Sequence, residues 1–298
     1  MSRRETTERH SDLVVGYDGS PAAAAAVTWA AGEAELLGAR LRIITGASYS
    51  AFAAGPYAGP VIQDLEDGAR SIGEEGQRLA AKSLPASDIL VEPIVGSVSN
   101  ALVEASADAR MVVVGTRGRG GAASALLGSV SFAVTAHALC TAVVVPEPSE
   151  DRSKQGPVVV GVDGSPASAV AVDHASDHAV RHGLSLVVLS AWQRPMSPGL
   201  QEASWGMPDP SWGESARSEA EENADNAVDS VHERHPHLAV DVQVVEGAAG
   251  PALTAASRTA DLVVVGTRGL GGFDRLLLGS VSRAALHRTA CPVAVVRA

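Results

Sequence analysis

Residues 14–27 read "VVGYDGSPAAAAAV", and the character of the chain changes in the middle of them. An apolar β-branched run comes first, Asp18-Gly19-Ser20-Pro21 interrupts it, and alanines follow. The run predicts a buried strand and the alanines a helix. Ser20 can cap that helix, Pro21 suits its first position, where a backbone N–H has no partner, and Gly38 suits its stop. A strand that feeds directly into a helix is the opening of a βαβ unit.

The same text returns later in the chain. "VVGVDGSPASAVAV" (159–172) matches it at 11 of 14 positions with an offset of 145. Further on, "GTRGRGGAASALLGSV" (115–130) and "GTRGLGGFDRLLLGSV" (266–281) match at 11 of 16 positions with an offset of 151. The chain is one domain written twice. The six extra residues fall where "SYSAFAAGPYAGP" (48–60) faces "WQRPMSPGLQEASWGMPDPSW" (192–212). Their Pro, Gly and Ser content predicts surface loops, candidate lids over a ligand. "PEPSEDRSKQGP" (146–157) reads as a linker between domains at 1–148 and 156–298.

Short apolar runs recur at 13–17, 41–45, 89–95, 111–115 and 142–145, and again at 158–162, 185–190, 240–245, 262–266 and 293–296. Strings such as "MVVVG" and "LVVVG" suit strands buried on both faces. Their alternation with Ala-rich stretches predicts an α/β fold of parallel strands covered by helices.

Composition excludes several functions. The 298 residues carry a net charge of −11, which argues against a nucleic-acid backbone as partner, and 3% aromatics are too few for base stacking. The start "MSRRETTERHSD" has no apolar core, and no run of about 18 apolar residues occurs, so a soluble cytoplasmic protein without a membrane partner is expected. Cys140 and Cys291 occupy matching places in the repeats and read as small buried hydrophobes, not as a disulfide.

Ligands of open parallel sheets bind beyond the carboxyl ends of strands. The loop after the fourth run carries Gly115 and Gly118, or Gly266 and Gly269, which let main-chain N–H groups approach an anion. Gly128-Ser129, or Gly279-Ser280, then opens a helix whose unpaired amides and dipole favour phosphate. Arg117 and Arg268 can add charge, whereas Arg119 is replaced by Leu270 and is left out. The loop after the first run supplies a carboxylate, Asp18 or Asp163, either a helix cap or an acceptor for a ribose or base.

The spacing Gly-2x-Gly-9x-Gly-Ser at 115–129 and 266–280, joined to Asp18 and Asp163, resembles the universal stress protein family in its tandem-domain form. The resemblance implies two Rossmann-like domains, each an open five-stranded parallel sheet of order 3-2-1-4-5 flanked by helices. It implies ATP, with Mg²⁺, as cofactor: Asp18 and Asp163 on the adenosine, and main chain at Gly46 and Ala191 on the adenine. The glycine motifs with Val130-Ser131 and Val281-Ser282 would hold ribose and phosphates. Runs 142–145 and 293–296 would pair, and whole chains would form a homodimer or meet an unidentified protein partner. Thr141 stands where the second copy has Pro292, a departure confined to one turn.

No P-loop, Gly-x-Ser-x-Gly or His-Glu-x-x-His motif is present. His174 and His178 share a helix face without a third ligand, and "HERHPH" (232–237) reads as a solvated helix end, so no metal site is expected. A regulatory ATP-binding module in the stress response is the expected function. The alternatives are a slow ATPase or phosphate-transfer enzyme using Asp18 and Asp163, and a flavin or other adenine-cofactor carrier.

Overall fold

Leu13–Gly16 forms strand β1 and Pro21–Leu37 helix α1, and the signals read from residues 14–27 are all used. The Ser20 side chain accepts from the N–H of Ala23 at 3.2 Å, Pro21 opens the helix, and Gly38 closes it at φ 59°. Ser165, Pro166 and Gly183 do the same for helix α5, Pro166–His182.

The structure is a computed structural model that describes residues 12–47, 58–119, 127–147, 155–194, 210–269 and 278–297. Most of both candidate lids lies outside these residues. The described parts of 48–60 and 192–212 include the starts of helices, at Ala58 and Pro210, where proline in the first turn displaces no hydrogen bond.

The chain divides into two compact units. The first holds β1, α1, β2 (Leu41–Ala47), α2 (Ala58–Ala80), β3 (Ile89–Val95), α3 (Val98–Ala105), β4 (Met111–Gly115), α4 (Ser129–His137) and β5 (Thr141–Val145). It also takes in β10 (Val293–Val296), the last strand of the second repeat. Its strand order is β3-β2-β1-β4-β5-β10. All neighbours run parallel except β5 and β10, which are antiparallel with Val143 opposite Ala294. That pairing of last strands is the one the resemblance implied.

The second unit holds β6 (Val158–Val162), α5, β7 (Leu186–Trp192), α6 (Pro210–Arg234), β8 (Val240–Glu246), α7 (Ala249–Ala256), β9 (Leu262–Gly266) and α8 (Ser280–Arg288). Its strands are ordered β8-β7-β6-β9, all parallel.

In the first unit β1 and β4 are neighbours, with Val15 opposite Val113, and both are buried along their length. Helix α1 packs on β1 and β4 and against α2, while α3 packs on β1 and β2 and against α4. The connections leaving β1 and β4 therefore cover opposite faces, and a crevice opens where they part. In the second unit α5 and α6 pack together, as do α7 and α8, around β6 and β9. Pro93 lies on β3, which pairs only with β2 among the described strands, so its missing N–H is tolerated.

Candidate functional site

Beyond β1 the chain turns through Tyr17-Asp18-Gly19, and Gly19 takes φ 79°, a left-handed conformation open to glycine. The turn aims the Asp18 carboxylate across the crevice. Its Oδ1 accepts the N–H of Ser20 at 3.0 Å and its Oδ2 the N–H of Arg119 at 2.9 Å. The Ser20 hydroxyl in turn donates to the carbonyl of Arg117 at 3.2 Å. Asp18 is thus a helix-start acceptor and a bridge between the loops after β1 and β4, with lone pairs left for a further donor.

The motif glycines are explained by close approach. None of Gly115, Gly118 and Gly128 has positive φ. A Cβ on Gly115 would lie 2.6 Å from the backbone carbon of Ala22, and one on Gly118 would lie 2.4 Å from Asp18 Oδ2. A Cβ on Gly128 would meet the carbonyl oxygen of Thr116 at 3.3 Å. Packing against helix α1 and the Asp18 carboxylate thus demands glycine at 115 and 118 in its own right.

Helix α4 starts at Ser129 after Gly128, and no side chain caps it. Its first amides and the positive end of its dipole face the crevice. The Ser131 hydroxyl, 3% exposed, donates to the Gly115 carbonyl at 2.6 Å and pins the helix start to the end of β4. Asp18, Gly46, Gly115, Arg117, Gly118, Gly128, Ser129, Val130 and Ser131 all line one cleft of about 360 Å³. Tyr17, Val98, Val114 and Arg119 complete much of its wall.

The second cleft, about 350 Å³, repeats the construction with Asp163, Gly266, Arg268, Gly269, Gly279, Ser280, Val281 and Ser282 in its lining. Asp163 Oδ1 accepts the N–H of Ser165 at 3.1 Å, and a Cβ on Gly269 would fall 2.0 Å from Asp163 Oδ2. The Ser282 hydroxyl donates to the Gly266 carbonyl at 2.6 Å. Ala191 lies on β7 but is not part of this lining; Leu189, two residues earlier on the same face of the strand, is, together with Ala249 and Leu253.

Tyr17 and Arg119 are among the lining residues of the first cleft that escaped the sequence reading. Tyr17 is 3% exposed, and burial, followed by the neighbouring Glu75 carboxylate to which its hydroxyl donates, raises its pKa above the ordinary phenol value. Gly76 makes room for the ring, since a Cβ there would lie 2.9 Å from Tyr17 Cδ1. Gly73 and Gly76 inside a helical stretch were the available signal, because glycine disfavours helix unless close packing demands it. Arg119 is passed over because Leu270 replaces it.

Elsewhere, "HERHPH" is a solvent-exposed helix end, with His235 half-buried. Arg234 pairs with Asp173 and Asp177 of α5, and His235 Nε2 lies 2.9 Å from Asp177 Oδ1. Cys291 is buried, but Cys140 is only half-buried; neither forms a disulfide. Among the described residues no helix is long and apolar enough to cross a membrane.

The fold and the two clefts define a doubly wound α/β protein of two similar halves, each presenting uncapped helix amides, a guanidinium and one carboxylate to a partly apolar crevice. The chain belongs to the universal stress protein family, whose family model matches residues 11–146 and again 156–297. A universal stress protein of Mycobacterium tuberculosis is 35% identical over 314 residues, spanning 100% of this chain and 97% of the relative. One from Mycolicibacterium smegmatis is 35% identical over 296 residues, covering 96% of each. A crystal structure of a universal stress protein from Archaeoglobus fulgidus superposes with a TM-score of 0.69 at 18% identity, covering 97% of both chains, a likeness of fold.

Proposed function

We propose that the protein is a regulatory ATP-binding module of the stress response, with one nucleotide held in each half. The observation that carries this reading is the gathering of Asp18, Arg117, the glycine loop and the uncapped start of α4 around one crevice, repeated at Asp163, Arg268 and α8.

Each element suits one part of the ligand. Val98 and Val114, or Ala249 and Leu253, offer an apolar wall to a base. The carboxylates keep capacity to accept ribose hydroxyls. Amides at Ser129 and Ser280 and the guanidiniums of Arg117 and Arg268 suit phosphate oxygens. Cleft volumes of about 350 and 360 Å³ lie at the lower end of the usual range for small-molecule sites, about 300–1,000 Å³. Mg²⁺ fits only as a companion of the phosphates: among the described lining residues each cleft has a single carboxylate, and both oxygens of Asp18 already accept N–H groups. Occupancy would regulate by differential affinity, favouring the conformation, and so the protein contacts, that bind ATP better.

Mass spectrometry of the ligand released from freshly purified full-length protein tests the reading, together with calorimetric titration. ATP filling one site per half supports it. Steady phosphate release that is lost in Asp163→Ala would favour the ATPase instead, and no nucleotide binding at all would remove both.

A further inference from the structure

The two clefts are nearly equal in volume, and their described linings differ in charge. Among the described lining residues, the first has two guanidiniums, Arg117 and Arg119, and one carboxylate, Asp18. The second has one guanidinium, Arg268, and one carboxylate, Asp163. At the sequence position of Arg119 the second repeat has Leu270.

Arg119 is held at its root and extended at its tip. Its N–H is fixed on Asp18 at 2.9 Å, while the exposed side chain runs over the turn at Gly19, its Nη1 3.9 Å from the point that a Cβ on Gly19 would occupy. Glu75 Oε2 lies 4.0 Å from the same point. Arg119 and Glu75 both approach the turn at Gly19; against Gly164 in the second half stands the neutral Asn223.

We propose that Arg119 makes the first cleft the polyphosphate-selective one, so that the two halves of the chain discriminate differently between nucleoside triphosphate and monophosphate. The inference rests on the nucleotide-binding reading and adds a division of labour to it. The phosphate nearest the ribose meets elements common to both halves, the uncapped helix start and Arg117 or Arg268. Among the described lining residues, the first cleft alone has a second forked cation for the phosphates beyond it, where two N–H groups can engage two oxygens. A triphosphate gains from that fork and a monophosphate does not. The expected gain is about tenfold.

Calorimetric titration of the full chain with Mg·ATP and, separately, AMP tests this in the native protein, Arg119→Leu and Leu270→Arg. The native chain is expected to show two ATP affinities about tenfold apart and AMP affinities that differ less. Arg119→Leu should collapse the ATP gap and leave AMP within about twofold, and Leu270→Arg should tighten the weaker ATP site. Arg119 is exposed, so circular dichroism melting is expected to stay unchanged and to show that the variant folds. If ATP still fills both sites but Arg119→Leu alters neither affinity, or weakens AMP as much as ATP, the inference is wrong while the nucleotide reading stands. If the native chain binds neither nucleotide, both fall.

Discussion

The Asp18 carboxylate occupies the space that a side chain on Gly118 would need: a Cβ there would lie 2.4 Å from Oδ2, the oxygen that accepts the N–H of Arg119. The aspartate and the glycine are one device, separated by 100 residues of chain and joined because β1 and β4 are adjacent. In the second half Asp163 and Gly269 stand in the same relation.

Gly118→Ala is therefore expected to push the carboxylate off Arg119 and to lower stability by about 1–2 kcal/mol. Asp18→Ala removes the obstacle, so the double variant should lose less than the sum of the single losses. Gly115→Ala should be costlier, about 3 kcal/mol, because the new methyl would meet the backbone of Ala22 and Ala23, which moves only with helix α1. Urea unfolding of the four variants checks the order, and strict additivity of Asp18→Ala with Gly118→Ala would disprove the coupling.

The floor of the first cleft supplies a second compensated pair. A Cβ on Gly46 would lie 2.6 Å from Val98 Cγ2 and 2.9 Å from Ile94 Cγ1, whereas the second repeat has Ala191 and Ala249 at the corresponding positions. Gly46→Ala alone should overpack the site and cost about 1–3 kcal/mol. Adding Val98→Ala recreates the second repeat's pair and should recover most of that loss. A double variant as unstable as Gly46→Ala would locate the strain elsewhere.

These pairs mark where legibility in the sequence ended. Strand positions were readable because β1, β4, β6 and β9 are buried on both faces and therefore unbroken apolar runs. The start of α1 was readable because Ser20 and Pro21 act within one turn. Contacts made across the fold were not. Tyr17 against Gly76, and Asp18 against Gly118, depend on which strands are neighbours, and no local periodicity carries that information. Ala191 rests on the family resemblance, which points to the end of the second strand, and Leu189 on the same strand face lines the second cleft. Arg119 was dismissed because its counterpart is Leu270, a difference that instead distinguishes the two halves.

Cys140 sits where burial pushes its thiol pKa up to about 11. At pH 8 its thiolate fraction is small, and alkylation or disulfide exchange should run about a hundredfold slower than for an unhindered cysteine of pKa about 8.5. The sign for stability follows from proton binding. Between the unfolded and folded pKa values the native thiol keeps a proton that the unfolded chain has released, so this contribution is present below about pH 8.5 and is lost as pH rises towards about 11. Modification rates with a chromogenic disulfide, native against urea-unfolded, measure the difference. Equal rates at pH 8 would show a thiol open to water.

Ser131 and Ser282 separate positioning from ligand contact. Each hydroxyl donates to the carbonyl at the end of the fourth strand of its half, at 2.6 Å, and each is 3% exposed. The hydroxyl fixes where the helix amides start, and those amides meet the part of a nucleotide common to ATP and AMP. Ser131→Ala should cost about 1 kcal/mol of stability and weaken ATP and AMP at the first cleft alike, about five-fold each. This uniform loss contrasts with Arg119→Leu, whose effect is expected on ATP alone. Loss of ATP affinity with AMP untouched in Ser131→Ala would place the hydroxyl on the outer phosphates, against its observed hydrogen bond to Gly115.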